Sequence, residues 1–157
     1  MIAQIYCPPE RALGTRRPTI FLAGTIDDGN SVDWQQDICK KFGHFAVNFF
    51  NPRRSDWVAN AGPDLIREQI RWELESMQKA DSILFYFAPG SKSPVTMLEL
   101  GLWVQTDRVS VCCPEGFWRR DNVHETCEHY GKVVFNDLDE AMALAIIIAV
   151  QQRSSGF

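Results

Sequence analysis

Residues 93–101 of this chain, SPVTMLELG, place one acidic side chain in a run that is otherwise apolar or small. The acid is Glu99, between Leu98 and Leu100. It is either a residue near a helix start that the helix dipole favours, or a carboxylate held in a pocket for chemistry. Gly101 supports the second interpretation of Glu99, a carboxylate held in a pocket. Glycine is costly inside a helix and is used where backbone or ligand must approach closely.

A second carboxylate, Glu73, stands in QIRWELE, with Gln69 one turn earlier and Trp72 beside it. It is either a solvated helix residue paired with an arginine or lysine, or a partner for Glu99. Two acids in a partly apolar crevice can divide the work: one stays ionised as nucleophile or cation stabiliser, and the other is pushed towards protonation and acts as general acid. Cleavage at an anomeric carbon uses such a pair.

These acids lie on elements that alternate along the chain. Short apolar runs predict strands in TIFLAG, FAVNFFNP, SILFYFAP, RVSVCCP and KVVF. Helices are predicted in SVDWQQDICKKFG, PDLIREQIRWELESMQKAD, VTMLELGLWVQT, NVHETCEHYG and DLDEAMALAIIIAVQQR. Strands that alternate with helices at this spacing predict an α/β, doubly wound sandwich, with about five mostly parallel strands and helices on both faces.

Two of the predicted helices carry further detail. The first is expected to begin with Ser31 as its cap and to stop at Gly43. The second carries one apolar face, which is typical of a helix that packs on a core. The residues of that face are Leu65, Ile66, Ile70, Leu74 and Met77.

The size and charge of the chain limit how many domains it can form and which kinds of partner it can bind. A chain of 157 residues, 45% hydrophobic, is long enough to bury a core and predicts a single domain over residues 1–157. Residues 1–17 are expected to form an irregular arm with room for one short edge strand. A net charge of −4 without a basic stripe argues against a nucleic acid polymer as partner. The apolar run AMALAIIIAV has about half the length needed to cross a bilayer, so we expect a cytoplasmic protein with no membrane partner.

Motifs for cofactors and metals are absent from the sequence. Neither GxGxxG nor GxxxxGK[ST] occurs, which removes support for nicotinamide cofactors and triphosphate hydrolysis. The five cysteines contain no CxxC pair and are interpreted as buried free thiols. His44, His124 and His129 make no metal spacing with acids or thiols. We therefore expect no cofactor and no metal ion.

In open parallel sheets, ligands bind beyond the carboxyl ends of the strands. The loops at that edge are GTIDDGNSVDW, NPRRSDW, APGSKSP and CPEGFWRRDN. Each is rich in groups that hydrogen-bond or stack, and a small or neutral ligand is expected there.

Several motifs together resemble the nucleoside 2-deoxyribosyltransferases, in particular the nucleoside 2-deoxyribosyltransferase-like branch. They are FLAGTID, DW, NPRR, WELE, KADSILFYF, SPVTMLELG and RRDNV, from about Thr19 to Val134. The resemblance implies a flavodoxin-like fold and transfer of 2-deoxyribose between nucleobases through a covalent deoxyribosyl-Glu intermediate, with retention. It also implies nucleosides and nucleobases as partners, and a homodimer or higher even homo-oligomer whose site is shared between subunits.

Three residues take roles from this resemblance. The Glu of ELG is the family's nucleophile and corresponds to Glu99. An acid eight residues before the Asp that opens the third strand positions or protonates the base, which corresponds to Glu73 ahead of Asp81. The Asn of DNV reaches a neighbouring subunit's site and binds the sugar 5'-hydroxyl, which corresponds to Asn122. Better-studied members carry an Asp where this chain has Ser93, so base recognition is expected to differ.

Binding residues are expected in the loops and helix starts at the same edge. Tryptophans are candidates to stack on a nucleobase, and the acids of the first loop are candidates to hold sugar hydroxyls or base edges. The predicted binding residues are Gly24, Thr25, Asp27, Asp33, Trp34, Asn51, Arg53, Trp57, Gln69, Trp72, Ser93, Thr96 and Asn122.

Two alternative functions stay open. Arg53 and Arg54 are either surface arginines near Asp56 or a bidentate clamp for a phosphate. The second possibility corresponds to a hydrolase of deoxynucleoside 5'-monophosphates, and a hydrolase of deoxynucleosides, in which water takes the place of the incoming base, also stays open. The chain is also consistent with a sensor that binds a nucleoside or nucleotide without turnover, because a fold alone does not establish catalysis.

Overall fold

The computed structural model describes residues 3–12, 14–27, 30–56 and 60–156. Its centre is a six-stranded sheet with strand order β1-β3-β2-β4-β5-β6, and every neighbouring pair is parallel. The strands are β1 Ile5–Tyr6, β2 Thr19–Gly24, β3 Asn48–Phe50, β4 Ser82–Tyr86, β5 Val109–Cys112 and β6 Val134–Phe135. The helices are α1 Trp34–Phe42, α2 Pro63–Lys79, α3 Pro94–Trp103, α4 Arg120–His129 and α5 Leu138–Ser155.

This architecture confirms the predicted doubly wound α/β fold, and it is a flavodoxin-like sandwich. The five predicted strands are all present. The sixth, Ile5–Tyr6, is the short edge strand for which the N-terminal arm had room, and it pairs with β3. All strand pairs are parallel, where the sequence indicated a mostly parallel sheet.

The helices cover both faces of the sheet because strand residues alternate between the two sides. Phe21 and Ala23 face a cluster that contains buried residues of α2, α3 and α4. Ile20 and Leu22 face the opposite cluster, with buried residues of α1 and α5. Each central strand therefore carries apolar residues on both sides, as strands buried between two helical layers do.

Helix α5 lies close to the sheet because its buried side consists mostly of alanines. Ala141, Ala145 and Ala149 have no exposed surface. The strand hydroxyls of Ser110 and Ser82 donate to the carbonyl oxygens of Ala141 and Ala145, at 2.7 and 2.8 Å. These contacts satisfy buried polar groups that a larger helix side chain would separate.

None of the helices in the described part of the chain has the length and the apolar character that a membrane-spanning segment requires.

The start of α1 differs from the prediction. Asp33 is the cap, and its side chain accepts a hydrogen bond from the Gln36 amide at 3.0 Å. The Ser31 hydroxyl donates instead to the carbonyl oxygen of Ile26 at 2.8 Å. Asp33 is the cap because α1 begins at Trp34. The Asp33 carboxylate is therefore the side chain next to the free amides of the first turn.

The predicted apolar face of α2 is buried only in part. Trp72 and Met77 are 4% and 0% exposed, whereas Ile66, Ile70 and Leu74 are 41%, 49% and 40% exposed. The sheet side of the helix is occupied by the Trp72 ring, which packs on aromatic rings of β2 and β3. The aliphatic residues are consequently turned away from the core.

Asp81 ties three elements together at the amino-terminal edge of the sheet. One carboxylate oxygen accepts hydrogen bonds from the backbone amide and hydroxyl of Thr19, at 2.7 and 3.1 Å. The same oxygen lies 3.2 Å from a guanidinium nitrogen of Arg153 on α5, and the Asp81 side chain is 14% exposed.

We expect Asp81→Ala to lower the free energy of unfolding by about 2 kcal/mol, because it leaves partly buried donors unpaired. Asp107→Ala is the control, since the Asp107 side chain is 93% exposed and its ion pair with Lys132 is at the surface. Its effect should stay within about 0.5 kcal/mol. Urea unfolding measures both, and equal losses would contradict the role given to Asp81.

Candidate active site

A cavity of about 660 Å³ opens at the carboxyl ends of β2 and β4. Its lining comes from the end of β2, the loops after β2, β3 and β4, and the facing sides of α2 and α3. Glu73 of α2 and Glu99 of α3 both line it. The two predicted catalytic acids therefore share one cavity, at the edge of the sheet where the sequence placed it.

Glu99 lies on the inner side of α3 and is 7% exposed. Burial raises the pKa of its carboxyl to about 8, and the charge of Glu73 adds to the increase. Burial also raises the pKa of Glu73, but the hydrogen bond from Gln69 acts in the opposite direction. Because an ionised Glu73 opposes ionisation of Glu99, the pair holds a proton more readily than two isolated glutamates would.

Gln69 fixes the position of Glu73. Its amide nitrogen donates to the carbonyl oxygen of Pro52 at 2.8 Å and to a carboxylate oxygen of Glu73 at 2.7 Å. The Pro52 carbonyl can only accept, so the orientation of the amide is determined. The other end, Oε1, is buried without a hydrogen-bond partner among the described residues.

Three hydroxyl groups meet at the start of α3, and we call them the hydroxyl cluster: Thr25, Ser91 and Ser93. Thr25 Oγ1 lies 2.6 Å from Ser93 Oγ and 3.0 Å from Ser91 Oγ, and the two serine oxygens are 3.0 Å apart. The Ala88 amide donates to Thr25, and the Ser91 hydroxyl donates to the Ala88 carbonyl. Ser93 has φ 43°, a left-handed conformation that is unusual for serine.

Gly24 is required at the end of β2. A Cβ atom there would lie 2.5 Å from the Tyr86 carbonyl oxygen and 2.6 Å from the Trp34 ring. The Trp34 indole donates to the Thr25 carbonyl at 2.9 Å. Trp34 therefore supports the backbone beneath the cavity, and the missing side chain of Gly24 makes room for it.

Arg53 lines the cavity, but its guanidinium is engaged within the chain. It donates to the Gln35 side chain at 3.2 Å and to the Ser31 hydroxyl at 2.8 Å, and it lies 3.2 Å from the Asp33 carboxylate. Its side chain is 11% exposed. These bonds hold the loop after β3 against the start of α1.

Arg54 is engaged in the same way. Its guanidinium donates to Asp56 at 2.8 Å and to Glu68 at 2.7 Å, and its side chain is 3% exposed. The hydrogen bond that Arg54 donates to Asp56 makes the largest contribution to raising the pKa of Arg54. Both arginines thus use their donors on the protein itself.

The structure brings most, but not all, of the predicted residues to the cavity. The predicted residues that line it are Gly24, Thr25, Asp27, Arg53, Gln69, Glu73, Ser93, Thr96 and Glu99. Trp57 lies outside the described residues. Five others are placed elsewhere: Asp33, Trp34, Asn51, Trp72 and Asn122.

Those five have other positions for physical reasons. Trp34 and Trp72 are 5% and 4% exposed and pack in the core, so neither ring is open for stacking. Asn51 is buried and accepts a hydrogen bond from the Arg53 amide. Asp33 caps α1. Asn122 is exposed on α4, which gives no described residue to the cavity of its own chain.

Sequence reasoning missed the apolar wall of the cavity. Ile66, Ile70 and Val95 line it, together with Ser91 and Lys92. The signal was present in α2, where Ile66 and Ile70 share a face with Glu73 at spacings of three and four residues.

Within the part of the chain that the structure describes, no cluster of three or more His, Cys, Asp or Glu side chains could hold a metal ion.

Comparison with known proteins gives one family. A family model described as "Nucleoside 2-deoxyribosyltransferase like" matches residues 17–117. That span contains every residue that lines the cavity. The comparison with curated proteins found no match.

We expect Glu99→Gln to stabilise the fold at alkaline pH. Because the folded state raises the pKa of Glu99 to about 8, it binds more protons than the unfolded state between about pH 5 and 8, and wild-type stability falls as pH rises through that window. The gain should be about 2–4 kcal/mol at pH 8.5 and close to zero below pH 5. Urea unfolding at both pH values measures it, and a gain independent of pH would contradict the assignment.

Proposed function

The chain belongs to the nucleoside 2-deoxyribosyltransferase-like family, and we propose that it transfers 2-deoxyribose between nucleobases through a covalent intermediate on Glu99. The observation that carries the proposal is a pair of carboxylates, buried Glu99 and partly buried Glu73, on facing helices in one cavity. Cleavage at an anomeric carbon uses two such acids in different roles.

In the first half of the reaction, a carboxylate oxygen of Glu99 attacks C1' of the nucleoside. A bond forms between C1' and Glu99 while the bond from C1' to the base breaks, and its electron pair passes to the base nitrogen. The transition state resembles an oxocarbenium ion, whose positive charge favours the ionised form of Glu99. The low-polarity surroundings that raise the pKa of the free carboxyl therefore strengthen this attraction.

The leaving base must gain a proton as the bond breaks. Glu73 can supply that proton, directly or through Gln69 or a water molecule. Its position is held by the hydrogen bond from Gln69, and burial raises the pKa of its carboxyl, which favours the protonated form. Burial favours a proton on Glu99 in the free protein, whereas the positive charge of the transition state favours ionised Glu99. The proposed mechanism therefore requires the proton to move to Glu73 as the sugar reacts, which also removes the charge that opposes ionisation of Glu99.

In the second half, an incoming base attacks C1' from the face that the first base left. The ester to Glu99 breaks, its electron pair returns to the carboxylate, and the proton of the incoming base passes to Glu73. Two inversions give retention of configuration. Water in place of the base gives hydrolysis.

The contacts of the two arginines favour nucleosides over 5'-monophosphates. Arg53 and Arg54 are both engaged within the chain, so a phosphate would have to break existing ion pairs. The hydroxyl cluster also suits a neutral group. Ser91 donates to Ala88, and the contacts among Thr25, Ser91 and Ser93 engage the other two hydroxyl protons, so the cluster offers a ligand acceptor oxygens rather than donors. A sugar hydroxyl can donate to these oxygens, whereas a phosphate needs several donors.

The remaining part of the proposal concerns Asn122. The resemblance implies that it completes the site of a neighbouring subunit, and this stays a prediction. Its exposure on α4, away from the cavity of its own chain, is compatible with that role. Mixing Glu99→Ala and Asn122→Ala chains would test it, because only mixed assemblies could regain exchange.

The reaction is tested by incubating the protein with 2'-deoxyinosine and adenine and following 2'-deoxyadenosine by chromatography. We expect exchange in the wild type and none in Glu99→Ala. Glu73→Ala should slow turnover by about 10²- to 10⁴-fold without abolishing covalent labelling, because it removes proton transfer but not the nucleophile.

Glu75→Ala is the matched control, since Glu75 is an acid of the same helix whose side chain is 44% exposed and pairs with Arg11. It should keep wild-type activity. Full activity in Glu99→Ala would rule out Glu99 as nucleophile. Free deoxyribose without exchange would identify a hydrolase, and neither product would favour a sensor.

We expect kcat/KM for a 2'-deoxynucleoside to exceed that for its 5'-monophosphate by about tenfold or more. The control is Lys92→Gln, because Lys92 is the remaining cation among the described residues that line the cavity. If that variant leaves the ratio unchanged, Lys92 is not a phosphate site. A preference for the monophosphate would contradict the assignment of a neutral subsite.

A further inference from the structure

A second cavity, of about 470 Å³, opens at the amino-terminal edge of the sheet, where β1, β2 and β3 begin. We call it the amino-terminal pocket. Its lining comes from Gln4 and Tyr6, from residues 14–17 and from Asn48. Strand β2 begins beside it and ends at the cavity of Glu99, about 16 Å away along the strand. Among the described residues, none lines both cavities.

The amino-terminal pocket carries positive charge. Of the described residues that line it, two are arginines, Arg16 and Arg17, and none is acidic. Arg16 is exposed, and Arg17 is half-buried beside it. This local charge is opposite in sign to the net charge of −4 of the whole chain. A guanidinium presents paired donors that match the oxygens of a phosphate, so the charge of the pocket favours an anion of this kind.

Asn48 adds a buried donor to the same pocket. The residue is 1% exposed, and its side-chain oxygen accepts a hydrogen bond from the backbone amide of Gln4 at 3.0 Å. Because a backbone amide can only donate, this bond determines which end of the side chain is the oxygen. The nitrogen at the other end has no hydrogen-bond partner within the part of the chain that the structure describes. A buried donor needs an acceptor, and a ligand in the pocket supplies one.

The wall that carries the arginines is fixed to the rest of the fold. Arg153 of α5 donates to the Arg17 carbonyl oxygen at 2.9 Å, and the Thr15 hydroxyl donates to the same oxygen at 3.2 Å. Arg153 also lies 3.2 Å from the carboxylate of Asp81. This acid at the same edge of the sheet is therefore already paired with a cation, and its charge opposes a bound anion only weakly.

Tyr6 and Gln4 form a wall of different character. The Tyr6 ring is half-buried and packs on Phe50, with ring centroids 5.8 Å apart. Its hydroxyl donates to Gln4 Oε1 at 2.7 Å, which leaves the Gln4 amide nitrogen for a ligand. The pocket is larger than a single phosphate ion, and an aromatic ring suits the organic part of a ligand.

We propose that the amino-terminal pocket binds a phosphate monoester. Arg16 pairs with the phosphate, Asn48 donates a hydrogen bond to it, and Tyr6 contacts the organic group. Sugar phosphates and nucleoside 5'-monophosphates share this chemistry. The cavity of Glu99 is less suited to such a ligand, because its two arginines are engaged within the chain. The site goes beyond the proposed function and does not rest on it.

Isothermal titration calorimetry of the full chain at constant ionic strength tests the site. The probes are 2-deoxyribose 5-phosphate, 2'-deoxyadenosine 5'-monophosphate and inorganic phosphate. We expect saturable binding of an ester at one site per chain, tighter than that of inorganic phosphate. Tighter binding of the sugar phosphate identifies a sugar phosphate site, and tighter binding of the nucleotide identifies a nucleotide site. Equal binding of all three probes would overturn the contact with Tyr6, and no saturable binding of either ester at about 1 mM would overturn the site.

Two substitutions locate the bound phosphate. Arg16→Gln should weaken binding of the ester by about tenfold or more, because it removes a charge-assisted hydrogen bond. Arg16 is exposed, so this variant should fold as the wild type does. Asn48→Asp keeps the oxygen that accepts from Gln4 but replaces the donor by a negative charge, so it should also weaken binding. Circular dichroism checks that each variant is folded.

The matched control is Arg67→Gln, since Arg67 is an arginine of α2 whose side chain is 69% exposed and pairs with Asp64. Lys92→Gln is the control for the cavity of Glu99, because Lys92 lines that cavity. Both should bind the ester as the wild type does. Equal binding by Arg16→Gln and Arg67→Gln, or a loss confined to Lys92→Gln, would overturn the proposal. These measurements do not depend on turnover, so they stand apart from a failure of deoxyribose exchange.

Discussion

Glu99 loses nearly all contact with water when α3 packs on the sheet, and this burial is the main reason that the pKa of its carboxyl rises to about 8. The cost of holding that carboxylate near Glu73 must be met by the rest of the fold. The parallel order of β2 and β4 places the loops that follow them side by side. The close contact of Gly24 with Trp34 and Tyr86 then brings α1 and β4 beneath the site. The surrounding packing is what allows two acids to remain in one cavity.

Polar contacts around the cavity serve mainly to hold its walls. Arg53 joins the loop after β3 to the start of α1, and Arg54 joins the same loop to α2 through Glu68. Thr25 links the end of β2 to the turn before α3 through Ser91 and Ser93. Because these groups bind the protein first, few of their donors remain for a ligand. The proposed preference for a neutral ligand therefore rests on internal bonding rather than on net charge.

The fold and the two acids could be predicted because they depend on local pattern and on the rules of parallel sheets. The apolar run of β4 and the amphipathic pattern of α2 place Glu73 before the strand and Glu99 after it, near the edge where ligands bind. The roles of Trp34 and Trp72 could not be predicted in this way. A tryptophan near the cavity can face the ligand or the core, and the orientation of its helix decides between these two positions. For Trp72, the aromatic residues of β2 and β3 supply a core site for its ring.

By itself, the sequence determined the succession of strands and helices along the chain, the mostly parallel type of sheet and the positions of Glu73 and Glu99. Each follows from periodicity and from spacing along the chain. Only the tertiary structure decided which groups remain open to a ligand. Arg53 and Asp33 are distant in sequence and lie 3.2 Å apart, and Ser93 reaches Thr25 across 68 residues of chain. The packing of loops and helices determines which distant residues form such pairs. A residue that is already paired within the chain is less available to bind a ligand. Tertiary packing also decided which side of α2 is exposed. The Trp72 ring packs against the sheet, and the aliphatic residues of α2 are left on the outer side.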